Sequence, residues 1–168
     1  MKKLHTLFFF LVVLWLVPIF LVAMVPESQA GKKMPAFALK SVHDGKIVDS
    51  SSFKGKVLFV IFFGTYCPPC VAEIPSLISL QKEQADAGFS VIGLSLDKIS
   101  APEVATFVKR KGVNYPVLMA DLKTTKDFGG IYNIPTAFLI NKRGNVVKRY
   151  MGYVEHRVLE KDIQSLLN

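Results

Sequence analysis

The sequence predicts an α/β fold: a central mixed β-sheet flanked by helices on both faces, with an N-terminal β-hairpin extension. Three observations carry that prediction. Val57 to Phe63 is an unbroken apolar run of strand length, rich in valine, isoleucine and phenylalanine, as a strand buried on both faces requires. Ile74, Leu77 and Ile78 then recur at i, i+3 and i+4, the spacing of a helix face turned toward a sheet. A second buried-strand run, Phe89 to Leu96, follows, so strand and helix patterns alternate as they do in layered α/β domains.

The remaining elements fall into place in chain order. Phe37 to Leu39 and Ile47 to Asp49 flank His43-Asp44-Gly45-Lys46, where Asp-Gly supplies turn geometry for a short hairpin at the sheet edge. Pro75 sits inside the first helix and is expected to bend it. Ser100-Ala101-Pro102-Glu103 is a capping-box pattern opening a second helix, with Val104, Phe107 and Val108 facing inward. Tyr115 to Met119 reads as a short strand, and Asp121 to Phe128 as a short helix closed by Gly129-Gly130. Thr136 to Ile140 and Asn145 to Tyr150 flank a turn ending in Gly144. A final helix carries Leu159, Ile163, Leu166 and Leu167 on one stripe.

The N-terminus has a different character. Lys2 and Lys3 precede an apolar stretch from Leu7 to Val25, and Ser28-Gln29-Ala30 gives a small-x-small site before Gly31. Residues 1–30 therefore read as a signal peptide or an N-terminal membrane anchor, since about 19 apolar residues also approach a bilayer-spanning length. Either way the N-terminal lysines favour a cytoplasmic start, which places the rest in the periplasm or at the outer face of the cytoplasmic membrane. Residues 31–168 have the size of one domain with its own core. Beyond residue 30 the chain carries 19 Lys and Arg against 12 Asp and Glu. Clusters such as Lys109-Arg110-Lys111, Lys142-Arg143 and Lys148-Arg149 fit solvated helix ends and hairpin edges. They also fit an anionic membrane surface or an acidic partner. Export argues against nucleic acid.

The chain has two cysteines, Cys67 and Cys70, separated by Pro68 and Pro69 and placed between the buried strand and the first helix. A disulfide closing so short a loop removes little chain entropy, roughly 2 kcal/mol, so stability is a poor reason for it. Zinc needs about four ligands, and His43 and His156 are scattered rather than paired at a metal spacing. Neither a metal nor another cofactor is expected. Redox chemistry fits best, because a helix start stabilises a thiolate and Cys-x-x-Cys holds a second thiol within reach. Cys67 is then the nucleophile and Cys70 the resolving thiol. Neither proline has an N–H, which leaves the Cys70 amide as donor to the first sulfur and implies a milder acidification of Cys67 than donors at both positions would give.

The stretch Phe63-Gly64-Thr65-Tyr66-Cys67-Pro68-Pro69-Cys70-Val71-Ala72-Glu73-Ile74-Pro75 resembles the thioredoxin superfamily, and within it the exported ResA/TlpA-like branch of thiol–disulfide oxidoreductases. Ser52-Phe53-Lys54-Gly55-Lys56 and Ile134-Pro135-Thr136 extend the likeness over the whole of residues 34–168. The resemblance implies a thioredoxin-like fold, a cis bond before Pro135 beside the dithiol, and backbone near Ile134 that pairs with an incoming chain. Tyr66 stands where a tryptophan is usual, so Tyr66, Pro68, Ile134 and Pro135 are the expected substrate-binding residues. Ile61 stands where the best-known thioredoxins have a buried aspartate, and it cannot move a proton. Glu73, one turn beyond Cys70, is the expected replacement, as in ResA-like proteins.

The resemblance further implies a protein disulfide as substrate, with an apocytochrome c haem site as the specific case, and a membrane electron donor of CcdA or DsbD type. A general periplasmic reductase or isomerase would use the same chemistry. A peroxidase is disfavoured by Gly64, which lies where peroxide-reducing relatives have a threonine. A copper chaperone is disfavoured by the cysteine spacing.

Overall fold

The computed structural model describes residues 31–168, so the N-terminal export reading, which rests on residues 1–30, lies outside the described residues. The strands are β1 (Ala38–Ser41), β2 (Ile47–Asp49), β3 (Val57–Phe63), β4 (Phe89–Ser95), β5 (Val117–Met119), β6 (Thr136–Ile140) and β7 (Val146–Met151). The helices are α1 (Pro68–Gln84), α2 (Ala101–Arg110), α3 (Leu122–Asp127) and α4 (His156–Leu167). Seven strands form one sheet in the order β2-β1-β5-β4-β3-β6-β7. The pairs β3–β4 and β4–β5 are parallel, and every other neighbouring pair is antiparallel, which makes the sheet mixed.

All seven residues of β3 are buried, and so are all seven of β4. Alternation along β3 splits the core in two. Phe59, Ile61 and Phe63 join Leu77 and Leu80 of α1, Val104 and Val108 of α2, and Leu159 and Ile163 of α4. Leu58, Val60 and Phe62 face the other way, against Phe37, Phe53, Phe128 and Phe138. The crossovers β3-α1-β4 and β4-α2-β5 step in the same direction, and right-handed connections of one direction lay their helices on one face. The chain then returns across β3 to β6, carrying α3 over the opposite face. That face closes on an aromatic trio: Phe128 lies 5.2 Å from Phe62 and 5.1 Å from Phe138, ring centre to ring centre, with tilted to edge-on geometry.

Element ends follow local chemistry. Glu103 accepts from both the backbone N–H and the hydroxyl of Ser100, at 2.9 and 2.7 Å, which is the expected capping arrangement of α2. Gly130 donates back to Thr125 at the end of α3, and Gly129 and Gly130 both have positive φ, a helix termination that side chains with a Cβ resist. Pro75 is accommodated inside the single helix α1. Several limits differ from expectation by one or two residues. The first strand runs to Ser41 because Lys40 and Ser41 pair with Met119 and Leu118 of β5. The strand expected from Tyr115 begins at Val117, since Pro116 offers no N–H to a ladder. Phe107 is only partly buried at the margin of its cluster.

Among the described residues, no helix is long and apolar enough to cross a membrane. The aromatic trio gives a direct test of the second face. Phe128→Ala should lower stability by about 3–5 kcal/mol, read as a lower denaturant midpoint at unchanged slope. A loss below about 1 kcal/mol would mean that this face does not depend on the trio.

Candidate active site

Seven in-register parallel pairs, Val57 with Phe89 through Phe63 with Ser95, bring the carboxyl ends of β3 and β4 together. Thr65 and Asp97 each lie two residues past those ends, and they meet. Both carboxylate oxygens of Asp97 accept from the Thr65 N–H at 3.1 Å, and the Thr65 hydroxyl donates to Oδ1 at 2.6 Å. The fully buried Ser95 donates to Oδ2 at 2.7 Å. This carboxylate fixes the turn that leads into Cys67.

Cys67 is the N-cap of α1, in extended conformation, with Pro68 and Pro69 as the first helical residues. Cys67 and Cys70 form a disulfide with Cα atoms 5.3 Å apart. The Cys70 N–H donates to Cys67 Sγ at 3.3 Å, so the one amide the prolines leave available does point at the first sulfur. Both cysteines are largely covered, Cys67 at 6% exposure and Cys70 at 2%, with Cys67 the more accessible. Pro68 and Pro69 are exposed beside them.

The second wall comes from the other side of β3. Antiparallel pairing of β3 with β6, Phe62 opposite Thr136, carries the preceding Ile134–Pro135 segment to the same end of the sheet. The Ile134–Pro135 bond is cis, and the Ile134 carbonyl oxygen lies 3.7 Å from Cys67 Sγ. With the sulfur in a disulfide there is no S–H, so this is a contact rather than a hydrogen bond. Tyr66 and Ile134 lean over Gly64: a Cβ there would sit 2.7 Å from the Tyr66 ring and 3.2 Å from the Ile134 side chain. Only a glycine lets the exposed ring lie so close to the backbone. Pro135 is buried, and its carbonyl accepts from Gly152 N–H at 2.8 Å.

Glu73 shares the buried stripe of α1 with Cys70, Ile74, Leu77 and Leu80, and it is 1% exposed. Val154 N–H donates to Oε1 at 3.3 Å, whereas Oε2 has no hydrogen-bond partner among the described residues. Burial pushes the Glu73 carboxyl up to about 7, opposed only by that one amide. Burial and the Glu73 charge together hold the Tyr115 hydroxyl above the ordinary tyrosine range.

The structure thus gathers Cys67, Cys70, Tyr66, Pro68, Ile134 and Pro135 at one end of the sheet, with Glu73 one helical turn inward. Three contributors are given no role by the sequence alone. Asp97 and Thr65 were legible in principle from their equal offsets past two buried strands. Val154 acts through its backbone amide, which leaves no trace in residue type.

The comparisons agree with this geometry. The Redoxin family profile matches residues 29–167. The chain is 32% identical over 141 residues to the thiol-disulfide oxidoreductase ResA of Halalkalibacterium halodurans, covering 83% of this chain and 78% of that protein. It is 34% identical over 137 residues to the ResA of Bacillus subtilis, covering 82% and 75%. A thiol:disulfide interchange protein of the thioredoxin family from Chlorobium tepidum superposes with a TM-score of 0.75 at 36% identity, covering 82% of this chain and 97% of that one. A disulfide at the head of a helix, in a thioredoxin-like sheet shared with these relatives, places the chain in the Redoxin family of the thioredoxin superfamily, a thiol–disulfide oxidoreductase whose redox-active pair is Cys67 and Cys70.

Proposed function

We propose that the chain works outside the cytoplasm as a reductant of protein disulfides, with an apocytochrome c carrying an oxidised Cys-x-x-Cys-His haem site as its substrate. The observation that carries this reading is the buried Glu73 carboxyl one turn beyond the resolving cysteine, within a site otherwise built for exchange. In the reduced protein the Cys67 thiolate attacks one sulfur of the substrate disulfide, and the other substrate sulfur leaves as a thiolate. Cys70 gives its proton to Glu73 and attacks Cys67 Sγ. The second substrate sulfur departs, the Cys67–Cys70 bond forms, and two electrons have passed to the substrate. A membrane protein of CcdA or DsbD type resupplies them.

The other residues bind. An extended substrate segment lies along the Ile134 backbone against Pro135, with Tyr66 and Pro68 flanking the attacked sulfur. A carboxyl with a pKa near 7 is matched to taking a thiol proton at neutral pH, since a proton acceptor works best near the ambient pH. The exported N-terminal segment, cleaved or retained, delivers the domain to the oxidising side of the membrane, where the dithiol has disulfides to act on.

Trapping tests the substrate. Cys70→Ser with Cys67 intact should accumulate a mixed disulfide, and mass spectrometry of the adduct should find an apocytochrome c. Capture of many unrelated proteins would instead assign a general reductase or isomerase role. Cys67→Ser should abolish exchange, and exchange persisting at the parent rate would remove Cys67 from the mechanism.

Glu73 has a separate signature in stability. The folded carboxyl titrates at about 7, above the ordinary 4.5, so the folded state holds this proton more tightly than the unfolded chain does. The resulting stability is fully present below about 4.5 and lost as pH rises through about 7. Glu73→Gln keeps the acceptor for Val154 and removes the titration. Measured on the oxidised proteins, the parent should lose on the order of 3 kcal/mol relative to the variant across that window. Parallel pH profiles would show that the ionised carboxylate is solvated.

A further inference from the structure

At the end of the sheet remote from the disulfide, where β3 begins and the β6–β7 turn closes, lies a cavity of about 560 Å³. Phe53 and Leu58 give it an apolar floor. Five cations line it, Lys33, Lys54, Lys56, Lys142 and Arg143, against the single carboxylate of Asp49. That carboxylate already accepts the Ser51 N–H at 2.7 Å. Lys33 and Lys142 donate to carbonyl oxygens, of Arg143 and Leu167 respectively, and such contacts leave their charge unneutralised. None of the five forms an ion pair within 4.0 Å among the described residues. Asp49 also interacts electrostatically with Lys54, which leaves a surplus of four cations over carboxylates, and a concave site with that surplus focuses its field on an anion. The apolar floor asks for more than an anion alone.

The path of the chain says where such a ligand would come from. Gly31 donates to the Val146 carbonyl at 2.6 Å, Val146 donates to the Lys32 carbonyl at 2.8 Å, and Met34 donates to the Gly144 carbonyl at 2.9 Å. The N-terminal segment therefore enters the domain at the mouth of this cavity, beside Arg143 and Gly144. Val25, the end of the apolar stretch, is six residues before Gly31, a separation that extended chain spans in about 20 Å at most. The inference rests on reading residues 1–30 as a retained membrane anchor, from which the cavity lies within that reach of the headgroups.

We propose that this cavity seats the headgroup of an anionic phospholipid, with its phosphate among the lysines and Arg143 and its glyceryl carbons over Phe53 and Leu58. Docked this way, the domain turns its cationic end to the membrane and its disulfide outward, about 20 Å further off along β3. The proposal stands apart from the exchange chemistry.

Hydrogen–deuterium exchange tests it. The full chain is reconstituted in nanodiscs of phosphatidylcholine alone and of phosphatidylcholine mixed with phosphatidylglycerol. Residues 49–56 and 142–144 should exchange several-fold more slowly only when phosphatidylglycerol is present. Each Lys or Arg near an anionic surface is worth on the order of fivefold in binding, so Lys54→Ala with Arg143→Ala should erase the difference while leaving the disulfide exchange rate unchanged. Equal exchange in the two discs overturns the proposal, as does protection that persists in the double variant. Equal protection by glycerol phosphate added to neutral discs overturns it in favour of a soluble anion site.

Discussion

Everything at the active end of this molecule depends on β3 being paired along both edges. Its seven residues match β4 in parallel, and five of them match β6 antiparallel. The first pairing sets Asp97 opposite Thr65 and so fixes the approach to Cys67. The second sets Ile134 beside Cys67 across 67 residues of sequence. A slip of one residue in either register would invert the faces of the strand and separate the two halves of the site. Complete burial of β3 forbids such a slip, because every side chain on both faces has an apolar partner to lose.

Within that frame, two opposing electrostatic environments sit one helical turn apart. At the head of α1 the backbone is positively polarised and offers an amide to Cys67, although two prolines have withdrawn the others. A turn deeper, the same helix carries Glu73 into surroundings that disfavour charge. The helix thus favours an anion at its mouth and a neutral acid just inside.

Much of this was legible in the sequence, and what was not has physical causes. The buried strands, the capped second helix and the Gly-Gly stop of α3 write themselves in residue type, since each depends on local chemistry or on burial. The expected role of Glu73 came through resemblance, whereas its burial follows from its place on the stripe of Cys70, Ile74 and Leu77. The end of β1 was missed because a strand's last pairs are decided by its neighbours, and β1 extends to meet β5, whereas the start of β5 was set by Pro116, a local signal the sequence did carry. Val154 and the cavity were invisible for the same reason: a backbone amide and a concavity are properties of the assembled chain. The five cations of that cavity come from three separate stretches of sequence that only the fold makes adjacent.

The clasp between residues 31–34 and the turn at Gly144–Val146 also has a mechanical meaning. Any pull entering the domain at Gly31 is delivered first to hydrogen bonds at the start of β7, an edge strand. The load then divides between β6 and α4, which is fastened to β7 where Lys148 and Tyr150 both donate to Asp162. It reaches the sheet at the end opposite Cys67. The dithiol therefore sits on the unloaded side of the domain, and a force entering at Gly31 is spent on β7 and α4 before it can shear the contact between Ile134 and Cys67.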